Sequence, residues 1–133
     1  MADQEYPTML DVKRSEVPEM QVLDANEEVT GEIIRHYGVR KDKNDNKYTN
    51  FVVQVVDGVD NPETVEEITY YRPLETPKNL NEFYEFADEL DVDCEDGINL
   101  DNFIGKKFEF ITSFSETEEY GKQNGVKRVI GAA

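Results

Sequence analysis

Only one stretch of this sequence has the apolar spacing of a helix, so the rest of the chain has to build its core from strands. Leu80, Phe83, Tyr84, Ala87 and Leu90 recur at i, i+3, i+4, i+7 and i+10, the stripe that lets a helix bury one side. Thr76 suits its N-cap, where a hydroxyl accepts an otherwise unpaired N–H, and Pro77 suits the first turn, which needs no N–H. The other apolar residues lie in short β-branched or aromatic runs separated by Gly, Pro, Asn and Asp, the pattern of strands and turns.

Five strands are predicted. The first runs from Val29 to Tyr37, with Gly31 marking a bend or bulge, and Ile33 and Ile34 competing for the core. The turn formers Lys43 to Lys47 separate it from a second strand, Tyr48 to Val56. There Phe51, Val53 and Val55 share one face and Tyr48, Asn50, Val52 and Gln54 the other. Glu67 to Arg72 is the third strand. The helix follows, then an acidic loop from Asp91 to Asn99 and a short helical turn over Leu100 to Ile104 stopped by Gly105. Lys107 to Phe114 is the fourth strand, Glu116 to Gly125 a polar hairpin loop, and Val126 to Ile130 the fifth. Phe51, Phe108 and Phe110 are assigned to the core. Residues 1–27 read as an extended or flexible N-terminal segment, with Tyr6, Met9 and Leu10 able to pack it down, and 28–133 as one domain.

Three strands, a helix and two more strands is the element order of a five-stranded, OB-fold-like antiparallel barrel with its helix between strands three and four. The same elements also suit an α+β sandwich. The length fits one core that folds without staples. Cys94 is the only cysteine and cannot form an internal disulfide. No apolar run approaches the ~20 residues that span a bilayer, and Met1 to Tyr6 is polar and acidic, unlike a signal peptide. A cytoplasmic protein is expected.

Four places resemble the small OB-fold proteins of phages and prophages that are associated with single-stranded DNA and encoded near replication and recombination genes. They are Glu32-Ile33-Ile34 with the turn at Asn44 to Lys47, then Phe51-Val52-Val53-Gln54-Val55-Val56-Asp57-Gly58. The others are Leu100-Asp101-Asn102-Phe103-Ile104-Gly105-Lys106-Lys107, and Tyr120-Gly121-Lys122 with Val126-Lys127-Arg128-Val129. Each is a pattern of residue types, and their order over residues 28–130 carries the resemblance. It implies single-stranded DNA as the partner, low sequence specificity, and a bacterial host cytoplasm. The acidic middle of the chain departs from that pattern.

The formal net charge of −16 argues against nucleic acid until it is divided along the chain. Residues 1–30 carry −6 and residues 57–101 carry −13, whereas 31–50 carry +2 and 105–133 carry +1. A single-strand face needs cations along a phosphate path and exposed rings for stacking. The basic segments offer Arg35, Tyr37, Arg40, Lys41, Lys43, Lys47 and Tyr48, and later Tyr120, Lys122, Lys127 and Arg128, while Tyr71 and Arg72 end the third strand. In an OB-fold the loops joining strands 1–2 and 4–5 flank the binding strands two and three. The plainer reading is that such tyrosines pack amphipathically and such lysines keep sheet edges soluble.

Other chemistry is poorly supplied. Asp91, Asp93 and Glu95 partly match a calcium loop, but Asp96 stands where glycine is needed and Asn102 where a bidentate glutamate is needed. Acidic neighbours raise the thiol pKa of Cys94 and blunt it. His36 is the only histidine, Ser113 and Ser115 lack a nucleophile-elbow context, and Gly105-Lys106-Lys107 lacks the upstream glycine of a P-loop. No cofactor, metal or enzymatic activity is expected. The alternatives to strand binding are an acidic protein-interaction module or DNA-mimic inhibitor, or a virion or assembly component. The 57–101 block, with Glu82, Glu85, Asp88 and Glu89 on the helix, would face replication or recombination proteins.

Overall fold

A computed structural model describes residues 6–133. The polar N-terminal stretch Met1 to Tyr6 therefore lies, up to residue 5, outside the described residues. The protein is mainly β, with an antiparallel sheet of six strands and one α-helix. The strands are β1 (Glu28–His36), β2 (Arg40–Lys41), β3 (Lys47–Asp57), β4 (Ile68–Pro73), β5 (Lys107–Thr117) and β6 (Gly121–Ala132), with α1 (Pro77–Glu89) between β4 and β5. The sixth strand is β2, which lies beyond the first predicted strand in a stretch assigned no strand from the sequence. β1 and β2 pair with successive parts of β3, His36 with Phe51 and Arg40 with Tyr48, around a kink at Gly38 where φ is +77°.

β3 lies between β4 and the β1–β2 pair, and β5 joins β1 to β6. β4 and β6 are the two ends of this ladder. They approach one another, but no strand pairing joins them among the described residues, so the sheet is open there.

Strand β1 settles which isoleucine is buried. The register shifts between Ile33 and Arg35, leaving Ile34 as the extra residue of a bulge, so Ile33 enters the core while Ile34 stays half-exposed. A second shift falls between Thr30 and Gly31. A Cβ on Gly31 would sit 2.7 Å from Phe110 Cε1 and nearer still to Val53 Cγ1. Here the glycine is needed for space, since two core side chains cross its face. Gly31→Ala is expected to cost about 1–3 kcal/mol by overpacking, read as a lower thermal midpoint; an unchanged midpoint would show that the two chains can retreat.

The core is a phenylalanine cluster. Phe51, Phe83, Phe86, Phe103, Phe108 and Phe110 are all buried, with ring centroids of neighbouring pairs 5.2–6.5 Å apart. Ring pairs at such spacing add about 0.5–1.5 kcal/mol beyond their area burial. α1 closes the cluster with Phe83, Phe86, Ala87 and Leu90. Its buried stripe is thus turned slightly from the predicted one: Phe86 takes the inward position and Tyr84 is exposed. The Thr76 hydroxyl caps the helix, accepting from Asn79 N at 3.1 Å.

Two expectations need correction. Met9 and Leu10 do not pack the N-terminal segment down, being 87% and 84% exposed, and Tyr6 is largely exposed as well. That work falls to residues 21–27. Gln21 bridges to Val65, Leu23 is buried, and its backbone binds the Asn124 side chain both ways, at 2.7 and 2.8 Å. Glu27 N donates to Thr112 Oγ1, which in turn donates to Asp24 O. Secondly, most of Glu116 to Gly125 is strand: β5 and β6 stay paired from Phe108–Ala132 out to Thr117–Gly121. Beyond Thr112 this hairpin stands clear of β1, so neither face needs apolar residues and Phe114 is exposed.

Candidate nucleic-acid interface

The outward face of β3 and its neighbours gathers much of the predicted set. Directly opposed residues of antiparallel strands share a face, and the register places Arg40, Tyr48 and Pro73 in one row, Asn50 and Tyr71 in the next, and Arg35, Val52 and Thr69 in a third. The Tyr48 and Tyr71 rings meet at 5.5 Å, with Tyr71 53% exposed. Tyr37, also exposed, lies under the Arg40 guanidinium at 6.0 Å, and Arg40 Nε donates to the Tyr37 carbonyl at 2.9 Å. The result is a tyrosine strip with a cation at one end.

Beyond that end stands the hairpin carrying Lys41, Lys43 and Lys47. Asp42 organises it: its carboxylate accepts from Asn44 N and Asn46 N, and Asp45 adopts φ +66° to complete the turn. Glu75 accepts from Lys47 N at 2.9 Å and so fastens the base of the loop. All three lysines are exposed, and the Lys41–Asp45 pair at 3.7 Å is too solvated to hold Lys41 tightly.

Arg35 is placed on the same face but is already engaged. Glu67 accepts from both its terminal nitrogens, and Tyr37 is a further partner; these hydrogen bonds push the guanidinium pKa up. Sequence spacing holds no sign of this pair, whose members lie 32 residues apart.

The tip of the β5–β6 hairpin flanks the other side of the face. Tyr120 is 65% exposed there, its N–H donating to Thr117 Oγ1 at 3.0 Å. Tyr120, Lys122 and Gln123 form one wall of a cleft of about 380 Å³, and Glu66, Glu67 and Thr69 form the other. Val22 and Asn124 complete its lining. The acidic wall is not legible in the sequence, where Glu66 and Glu67 merge into the long acidic block.

Three predicted residues belong elsewhere. Arg72 is half-buried, stacked 4.9 Å from the Tyr70 ring and 5.6 Å from Phe86, and donates to the Tyr70 hydroxyl at 2.7 Å. Burial raises the Tyr70 pKa while Arg72 opposes that shift. Lys127 and Arg128 line a separate cavity with Arg72, Glu82, Glu85 and Glu89 between β4, α1 and β6, and the Lys127 ammonium is already engaged, donating to Asn26 Oδ1 at 2.6 Å. That acidic company makes a poor phosphate site.

The remaining chemical candidates have structural places. His36 Nδ1 accepts from Gly38 N, so its Nε2 is the donor to Asp101 Oδ1 at 2.7 Å, tying the end of β1 to the turn over Leu100–Phe103. Partial burial, then Asp93 and Asp88, raise the Cys94 pKa. In the loop after α1, the Asp93 carboxylate is used locally by Glu95 N. Among the described residues no group of three or more His, Cys, Asp and Glu is placed to hold a metal ion, and no helix is long and apolar enough to cross a membrane. No protein-family model matches the chain, and no curated protein matches it significantly.

Proposed function

We propose that this protein binds single-stranded DNA, without catalysis, across the outer face of β3 and β4. The observation that carries the reading is the tyrosine strip of Tyr37, Tyr48 and Tyr71, running from a lysine hairpin toward a second exposed hairpin tip. Stacked bases contribute about 1–3 kcal/mol each and need no particular sequence. Arg40, Lys41, Lys43, Lys47 and Lys122 are the cations for the phosphates. If β1 and β2 count as one interrupted strand, the order of strands and helix is that of an OB-fold, whose usual binding surface is this face with these two loops. A role in phage replication or recombination goes with this reading, as does a protein partner for the exposed acidic residues of α1.

The test is a titration of labelled oligo-dT at two salt concentrations. With about five cations meeting phosphates, affinity is expected to fall roughly a hundredfold between about 50 and 200 mM salt. Absence of binding at the lower salt would end this reading and leave the acidic surfaces as the better candidate, as in a protein-interaction module.

A further inference from the structure

We infer that the cleft beneath the β5–β6 hairpin tip is a base-reading subsite that prefers a nucleobase with an exocyclic amino group. The inference rests on the strand-binding reading above and adds a specificity element to it. The cleft is continuous with the strip, because Thr69 lines it and belongs to the same outer face as Tyr71. Its volume of about 380 Å³ accommodates one nucleotide.

Its walls are fixed before any ligand arrives. Glu66 N donates to Gln21 O at 3.0 Å, and Gln21 N donates to Thr64 O at 2.7 Å, which pins the acidic wall. Opposite, Asn124 is held by Leu23 and by Ser113 O, so the strand carrying Lys122 and Gln123 cannot drift.

The two glutamates differ in what they have left to offer. Glu67 has both oxygens occupied by Arg35. Glu66 is exposed and makes no side-chain hydrogen bond or ion pair among the described residues. An ionised carboxylate only accepts, so it suits a base edge that donates. Cytosine offers its N4 amino group, a pairing that glutamate makes with that base in duplex recognition. Thymine offers only N3–H between two carbonyl oxygens, which a carboxylate repels. Tyr120 supplies a ring for stacking and Lys122 a cation for the adjoining phosphate. The acidic wall that weakens backbone binding thereby acquires a selective use.

The experiment compares oligo-dC with oligo-dT at one low salt concentration, for the wild type and for Glu66→Gln. The wild type is expected to bind oligo-dC about tenfold more tightly. Glutamine both donates and accepts, so Glu66→Gln should bring the ratio near one, chiefly by improving oligo-dT. Equal binding of both strands by the wild type overturns the inference and leaves the strand-binding reading intact. So does a Glu66→Gln variant that binds both strands more tightly by the same factor, since Glu66 would then merely repel phosphate. If neither strand binds, both readings fall together.

Discussion

Replacing Lys41, Lys43 and Lys47 together by glutamate is expected to abolish single-strand binding while leaving the fold in place. The change exchanges three cations for three anions on one short hairpin, an alteration of six charges at the head of the tyrosine strip. Each phosphate left without its cation takes about 0.7 off the slope of log affinity against log salt for single strands. Three such phosphates therefore account for roughly two of the three to four units expected for about five cations. The added repulsion should push what is left beyond a titration at about 100 μM protein. The fold should survive because the hairpin is held by backbone and by Asp42. Lys47 contributes its N–H to Glu75 and its carbonyl to Leu74 N, and both persist in the variant. Its single ion pair, Lys41 to Asp45, is solvent-exposed and contributes little. Far-ultraviolet circular dichroism and the thermal midpoint check folding, and the oligo-dT titration checks binding. A folded variant with unchanged affinity would remove this hairpin from the interface and, with it, the cationic end of the proposed path.

The strand core and the helix are legible in the sequence because burial leaves a period. Phe51, Val53 and Val55 alternate as predicted, and Phe108 and Phe110 lie in the core as their parity requires. Where burial does not impose a period, the sequence misleads. The outer hairpin of β5 and β6 has solvent on both faces, so its polar residues read as a loop although they are fully paired. The N-terminal segment fails for another reason: its anchors are a bridge at Gln21, the amide of Asn124 and the lone buried side chain of Leu23, and a single apolar residue sets no period. At the candidate interface, the residue types are visible but their partners are not. Tyr48 and Tyr71 meet because the register makes them diagonal neighbours, whereas Arg35 is taken by Glu67 and Arg72 by the Tyr70 and Phe86 rings. Ion pairs and ring stacks between distant positions depend on a register that one-dimensional spacing does not encode.

The largest effect on stability is expected from Phe51→Ala. Phe51 is fully buried in the middle of β3, and its ring meets those of Phe83, Phe86 and Phe103 at 5.2–6.3 Å. Truncation leaves a cavity between strand, helix and the Leu100–Phe103 turn that none of them can fill alone, so the cost should be about 3–5 kcal/mol. Native domains have only about 5–15 kcal/mol in hand, and for a chain of this length the loss corresponds to a midpoint lower by roughly 10–20 °C. Phe114→Ala is the control: that ring is exposed on the free part of the hairpin and should matter by no more than about 0.5 kcal/mol. The two faces of β3 can also be separated by this variant. Phe51 points inward, while Asn50 beside it points out in the row of Tyr71. Well below its lowered midpoint, Phe51→Ala should therefore keep its oligo-dT affinity within a few-fold of wild type. A midpoint within about 2 °C of wild type would contradict the phenylalanine core. A large loss of affinity in the still-folded variant would show that strand recognition depends on the inner face, contrary to the outer-face path proposed above.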